Sequence, residues 1–247
     1  MLRSNRIAEP LSVRLEMLSW GIGHKQAVLI HGLSARAALW DAMANGLSSA
    51  GYRSWAPDLR GHGRSPRGSY TIHSWVADLI ENLPANPDLA IGHSLGGILL
   101  LKAVSRLRPK RAVYIDPPWI ADQDPRRTIA QFEARKSLSR AAVAGANPSW
   151  TPQENDLRYE GFQMWDPRTA SAFILTREAD YTPTKPPLQP SLVIVPDPSP
   201  LAPTEVVDRI RASEWDVYEF PGAGHYVHLD ERKAVLDQVV TWLEREQ

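Results

Sequence analysis

Residues 89–101 constrain this chain most: the apolar run Leu89-Ala90-Ile91, the pentapeptide Gly92-His93-Ser94-Leu95-Gly96, and an apolar stretch continuing to Leu101. A short continuous apolar run ending at a glycine predicts a strand buried on both faces. The stretch that follows, 95–107 ahead of Pro109, predicts a helix. A serine between the two in the pattern G-x-S-x-G stands on a sharp strand-to-helix turn. Neighbours without side chains let the backbone close up, lift Oγ above the sheet and aim the next N–H, that of Leu95, at whatever the serine attacks. The pentapeptide alone is weak; the strand before it and the helix after it give it meaning.

Three further runs, 27–30, 112–115 and 192–195, are likewise continuous and end in polar or glycine-bearing turns: His31-Gly32, Asp116-Pro117 and Pro196-Asp197. In open parallel sheets ligands lie beyond the carboxyl ends of the strands, so these turns are where chemistry collects. Residues 53–56 and 217–220 predict two more strands, and the alternation over 12–18 predicts a seventh at the antiparallel end. Helices are predicted over 39–47, 72–83, from Thr204 onward and over 234–243. Strand and helix alternate, which predicts a mostly parallel, doubly wound α/β sheet.

From Pro117 to Pro190 the alternation stops. This stretch holds helical pieces, 126–143, 152–165 and 167–180, and ends in Thr182-Pro183-Thr184-Lys185-Pro186-Pro187. A helical insertion with a stiff, proline-rich exit predicts a lid, 117–190, over a core made of 1–116 and 191–247.

The rest of the composition excludes more than it suggests. With no cysteine there is no disulfide, thiolate nucleophile or Cys-ligated metal site, and neither metal nor organic cofactor is implied. With 28 basic and 28 acidic side chains, the chain has no global field to gather phosphates, which argues against nucleic acid. No apolar run is long enough to span a bilayer, and Met1 to Leu11 has arginines without an apolar core, so no secretory signal is read and a cytoplasmic location is expected.

A serine hydroxyl needs a base to take its proton. Of the seven histidines, His24, His62 and His73 fall in a polar turn, a glycine loop and a helix start, while His31 and His93 stand beside tight turns where imidazoles commonly orient backbone. Gly222-Ala223-Gly224-His225-Tyr226-Val227-His228 follows the last predicted strand. His225, released by two glycines, can reach across to Ser94; His228 opens the final helix and suits a structural role.

Taken together, His31-Gly32, Asp58-Leu59-Arg60-Gly61-His62-Gly63-Arg64-Ser65, Gly92-His93-Ser94-Leu95-Gly96-Gly97 and Gly222-Ala223-Gly224-His225 resemble the α/β-hydrolase fold superfamily over roughly residues 12–245. The resemblance implies the α/β-hydrolase fold with the helical lid inserted before the penultimate strand. It also implies a second oxyanion donor after His-Gly, the N–H of Leu33 working with that of Leu95, and a structural role for the 58–65 loop. Most members place an aspartate after the strand read here as 192–195, where this chain has Pro196-Asp197-Pro198-Ser199. Serine cannot carry the charge that stabilises an imidazolium. Asp116, at the end of the preceding strand, is the expected acid, as in haloalkane dehalogenases and zearalenone-type lactonases; Asp197 is the alternative.

The expected activity is that of a serine hydrolase acting on a small carboxylic ester or lactone, with Ser94, His225 and Asp116 as the triad. C–C or thioester cleavage on the same residues is the alternative chemistry, and a receptor-like ligand binder with little turnover the alternative class. Of the nine tryptophans, Trp119, Trp150 and Trp165 fall in the insertion. With Tyr226 they are candidates to line an apolar or aromatic substrate pocket, or else to pack the insertion onto the core. The arginines there (Arg126, Arg127, Arg135, Arg140, Arg158, Arg168, Arg177) either hold a substrate carboxylate or are solvated faces paired with acids such as Glu133, Glu154 and Glu160.

Overall fold

In the computed structural model, which describes residues 11–245, seven strands form one sheet. They are β1 (Met17–Trp20), β2 (Lys25–Ile30), β3 (Tyr52–Pro57), β4 (Leu89–His93), β5 (Arg111–Ile115), β6 (Ser191–Asp197) and β7 (Asp216–Pro221), in the spatial order β1-β3-β2-β4-β5-β6-β7. Only β1 runs antiparallel to its neighbour. The four continuous apolar runs are β2, β4, β5 and β6, the interior of the sheet. Alternate residues feed two cores: Val28, Ile30, Ala90, Tyr114 and Val193 point to one face, and Ala27, Leu29, Ile91, Val113 and Ile194 to the other. Burying each large apolar side chain stabilises by about 1.5–3 kcal/mol, so both faces demand cover.

Helices α2 (Ile72–Asn82), α3 (Leu95–Leu107) and α8 (Thr204–Ala212) cover the first face; α1 (Asp41–Ser49) and α9 (Arg232–Leu243) cover the second. Thr71 starts α2 with a capping box, its hydroxyl accepting from Ser74 N–H while Ser74 Oγ accepts from Thr71 N–H. The buried pair Arg60–Asp78, with two guanidinium nitrogens at 2.9 and 2.7 Å from the carboxylate oxygens, ties the loop after β3 to α2.

The seventh strand lies further along than the alternation suggests. Residues 12–16 are not strand-paired, and three of their N–H groups meet side chains: Val13 donates to Asp78, Leu15 to Asn82 and Glu16 to Ser65. Strand pairing begins only at Met17. The N-terminal stretch read for a leader lies outside the described residues except for Leu11. Among the described residues no helix is long and apolar enough to cross a membrane.

Between β5 and β6 the chain runs through α4 (Pro125–Ala134), α5 (Arg140–Ala146), α6 (Pro152–Gln163) and α7 (Arg168–Ile174). The single helix expected over 126–143 is two. A 3₁₀ turn at Arg135–Ser137 ends the first, and Ser139 caps the second by accepting from Ala142 N–H. No side chain of α4 is buried, so no packing holds a longer helix straight through the serine. An isolated bridge, Ile120 to Asp180, closes the base of the insertion.

From β2 the chain crosses to β3 on one side and then to β4 on the other, so the chain order reverses between the carboxyl ends of β2 and β4. Register pairs Ile30 with Gly92 and His93 with Ile115. The residues just beyond these ends therefore share one edge: the 31–34 loop, Ser94 and Asp116.

Candidate active site

Ser94 follows β4 and precedes α3 with φ +54° and ψ −120°, a conformation that costs free energy and is kept only where the surroundings fix it. Close packing does the fixing. A Cβ on Gly92 would sit 2.4 Å from Gly96 O, and one on Gly96 would sit 2.1 Å from Ile30 O. Ser94 N–H donates to Ile115 O at 2.9 Å, anchoring the turn to β5. Its hydroxyl does not cap α3 and opens into a cavity of about 570 Å³ that Leu33 and His225 also line.

Asp116 ends β5, fully buried, with φ +39°. Its backbone N–H donates to Ile194 O at 2.8 Å, and its carboxylate faces two donors. His225 Nδ1 lies 2.6 Å from Oδ2 and Ser199 Oγ lies 2.7 Å from Oδ1. A carboxylate only accepts, so Nδ1 carries the proton, and in the neutral ring the lone pair is then on Nε2. Ser199, at the position where the resemblance expects an acid, donates to Asp116 because its oxygen already accepts from Leu201 and Ala202 N–H. Asp197 is exposed at the end of β6, where its carbonyl accepts from Gly222 N–H at 2.9 Å. The fold thus brings Asp116 to His225 and leaves the Asp197 side chain in solvent.

Four other histidines organise the surroundings. His93 is buried, and its Nε2–H donates to the carbonyl of His225 at 3.0 Å, fixing the backbone that carries the imidazole. Burial, with His228 and His225 beside it, holds His93 well below the usual histidine range. His228 stacks on Trp40 at 4.6 Å and is pushed down to about 3, chiefly by burial. His31 and His62 clip the loop that carries Leu33. His31 Nδ1–H donates to Gly32 O and its Nε2 accepts from Leu59 N–H; His62 Nδ1–H donates to Arg60 O and its Nε2 accepts from Ser34 N–H. Burial lowers both and so favours the neutral ring, which alone can donate at one nitrogen and accept at the other. The sequence places His31 beside a turn but gives no sign of His62's role, which depends on contact across the fold. Asp58 is structural too, accepting from Ala37 and Arg64 N–H.

The aromatic candidates divide. Trp119 is buried in the first core among Tyr114 and Trp215, and Trp165 is buried against Phe132 and donates to Thr169. Neither lines the cavity at Ser94; of the two readings the sequence allows, these two indoles take the second and pack the insertion onto the core. Phe132, Phe173 and Ile174 from the insertion line that cavity instead. Trp150 and Tyr226 line a second cavity of about 610 Å³, which meets the first at His225 and Arg135.

The sequence profile of the alpha/beta hydrolase family matches residues 27–238. The chain belongs to that family. It is 33% identical to lipase LipV of Mycobacterium tuberculosis over 152 residues, 54% of this chain and 57% of that protein. The chain spans 27% to 57% of the length of eight curated relatives it matches. Among solved structures it resembles the esterase EaEST of Exiguobacterium antarcticum (TM-score 0.75, 18% identity, 94% of this chain and 96% of that one). It also resembles the enol-lactonase of Burkholderia xenovorans LB400 (TM-score 0.74, 20% identity, 94% and 96%). At these identities the structural likenesses speak for the fold.

Proposed function

We propose that the protein is a serine hydrolase of a small carboxylic ester or lactone. The observation that carries this is the 2.6 Å contact of His225 Nδ1 with the buried Asp116, at the rim of a cavity that also holds the strained Ser94. His225 Nε2 takes the proton from Ser94 Oγ as the oxygen attacks the carbonyl carbon, and Asp116 stabilises the resulting imidazolium. The N–H groups of Leu33 and Leu95 receive the developing oxyanion, an interaction whose loss typically costs about 10²–10³ in rate. The imidazolium then protonates the leaving alkoxide, and water, deprotonated by the same nitrogen, releases the acid and frees Ser94.

Residues 117–190 act as a lid over a core made of 1–116 and 191–247; the contribution of Phe132, Phe173 and Ile174 to the cavity supports this. Ester turnover is favoured by the lipase among the sequence relatives, and the esterase and the enol-lactonase of the same fold are in keeping with it.

The test is steady-state hydrolysis of a panel of p-nitrophenyl esters and simple lactones by the wild type and by Ser94→Ala. Turnover that falls by about 10⁴ or more in the variant is expected. Turnover of C–C or thioester substrates alone would replace the substrate class, and labelling of Ser94 by a fluorophosphonate without sustained turnover would favour a receptor.

A further inference from the structure

Three of the insertion's seven arginines are held by acids or backbone carbonyls. Arg140 meets Asp156 and Arg168 meets Asp166, while Arg177 donates to the carbonyls of Pro118 and Ile120. Arg135 and Arg158 differ. Arg158 is buried, lies over the rings of Phe162 and Tyr226, and gives two donors to the Ser34 carbonyl and hydroxyl, with no carboxylate near it. Arg135 rests over Phe132 at 4.0 Å, and its guanidinium meets no hydrogen-bond acceptor or acid among the described residues. Burial, chiefly, and the neighbouring Arg135 charge pull Arg158 down to about 10; burial lowers Arg135 as well. Two cations largely out of water that repel one another, with no carboxylate paired to either among the described residues, are destabilising on their own. The cost is offset when an anion enters between them.

Their position says what that anion belongs to. Both line the second cavity, and Arg135 lines the cavity at Ser94 as well, with His225 shared between the two. The acids bordering these cavities do not neutralise the pair. Asp230 accepts from Trp150 Nε1 and Gly224 N–H, Asp122 accepts from Asp124 N–H, and Glu231 is exposed with no ion pair to either arginine.

We propose that the substrate carries a carboxylate, bound by the free fork of Arg135 with Arg158 behind it, while the scissile carbonyl sits at Ser94. Because Arg158 already spends donors on Ser34, one free planar fork is on offer, which matches a monoanionic carboxylate better than a phosphate dianion. The substrate class is then a half-ester, or a lactone bearing a carboxylate, with a short chain joining the two ends. This rests on the hydrolase reading and narrows it.

The experiment compares kcat/KM for monomethyl esters of succinate, glutarate, adipate and pimelate with the corresponding dimethyl esters, in the wild type, Arg135→Gln and Arg135→Glu. At least one half-ester is expected to exceed its dimethyl partner by about 10- to 100-fold in the wild type, the size expected of hydrogen bonds to charged groups. The ratio should collapse toward unity in Arg135→Gln and invert in Arg135→Glu. Calorimetric binding of glutarate, expected for the wild type and about 10-fold or more weaker for Arg135→Gln, gives a readout independent of turnover. Neutral esters hydrolysed as well as every half-ester, or a preference that survives Arg135→Glu, would overturn the proposal while leaving the hydrolase reading intact. Absence of turnover on all esters together with glutarate binding would overturn the hydrolase reading and leave the anion site standing.

Discussion

Replacing Asp116 by asparagine removes one charge and changes almost nothing else in size. The carboxylate is fully buried, 2.6 Å from His225 Nδ1, and Ser199 satisfies its other oxygen. During attack His225 becomes a cation beside it. Two unit charges about 4 Å apart at an effective dielectric near 20 attract by about 4 kcal/mol, which is roughly a factor of 10³ in rate. The asparagine amide can also turn its N–H₂ toward Nδ1. That strips the proton from Nδ1, places it on Nε2 and leaves no base facing Ser94, so the combined loss approaches about 10⁴ in kcat. Asp197→Asn, altering an exposed side chain, should leave kcat within about threefold. The assay is steady-state hydrolysis of an activated ester by both variants, with far-UV circular dichroism and thermal melting to establish that each is folded. A loss below tenfold in a folded Asp116→Asn, or a loss above a hundredfold in Asp197→Asn, would rule out Asp116 as the partner that stabilises the imidazolium.

Three further predictions follow from packing and burial. Gly96→Ala drives a Cβ to within 2.1 Å of a backbone carbonyl and should destabilise by about 3 kcal/mol or more; equal melting temperatures for variant and wild type would contradict this. Asp78→Leu strands the buried Arg60 charge and should cost about 3–5 kcal/mol in urea denaturation, much of it recovered in Arg60→Met/Asp78→Leu; a near-neutral single variant is the opposing result. The lowered pKa of His62, His93 and His228 means that below about 6.5 the unfolded chain binds protons the folded one refuses. Stability should therefore fall as pH drops from about 6.5 toward the folded values, by about 1.4 kcal/mol per pH unit for each ring. Urea titrations at pH 7.5 and 5.5 read this directly, and His228→Phe, which keeps the stack on Trp40, should flatten the slope.

The interior of the sheet was legible because β2, β4, β5 and β6 are buried on both faces and so read as unbroken apolar runs. The elbow was legible because close backbone approach tolerates only glycine at Gly92 and Gly96. Asp116 could be named from the departure at Ser199, since the expected acid position holds a residue that cannot ionise. What stayed hidden depends on contacts between distant segments. The N–H groups of Val13, Leu15 and Glu16 bond to side chains of α2 and of the loop before it, which no alternation pattern reveals. Trp119 and Trp165 could not be sorted from pocket residues, because an indole packing an insertion and one lining a cavity look alike in sequence. The separate fates of Arg135 and Arg140, five positions apart, were equally invisible. Arg140 meets Asp156 across the insertion, whereas Arg135 rests on Phe132, faces the cavities and has no ion pair among the described residues.

If Ser94 forms a covalent acyl intermediate with His225 as its base, rapid-quench intact mass of the enzyme mixed with excess p-nitrophenyl acetate, followed by peptide mapping, will find it. One acetyl group per chain is expected, located on Ser94 and absent from Ser94→Ala, with its formation slowed by about 10⁴ or more in His225→Gln. Turnover without any acyl-enzyme on Ser94, or acylation at full rate in His225→Gln, would contradict it.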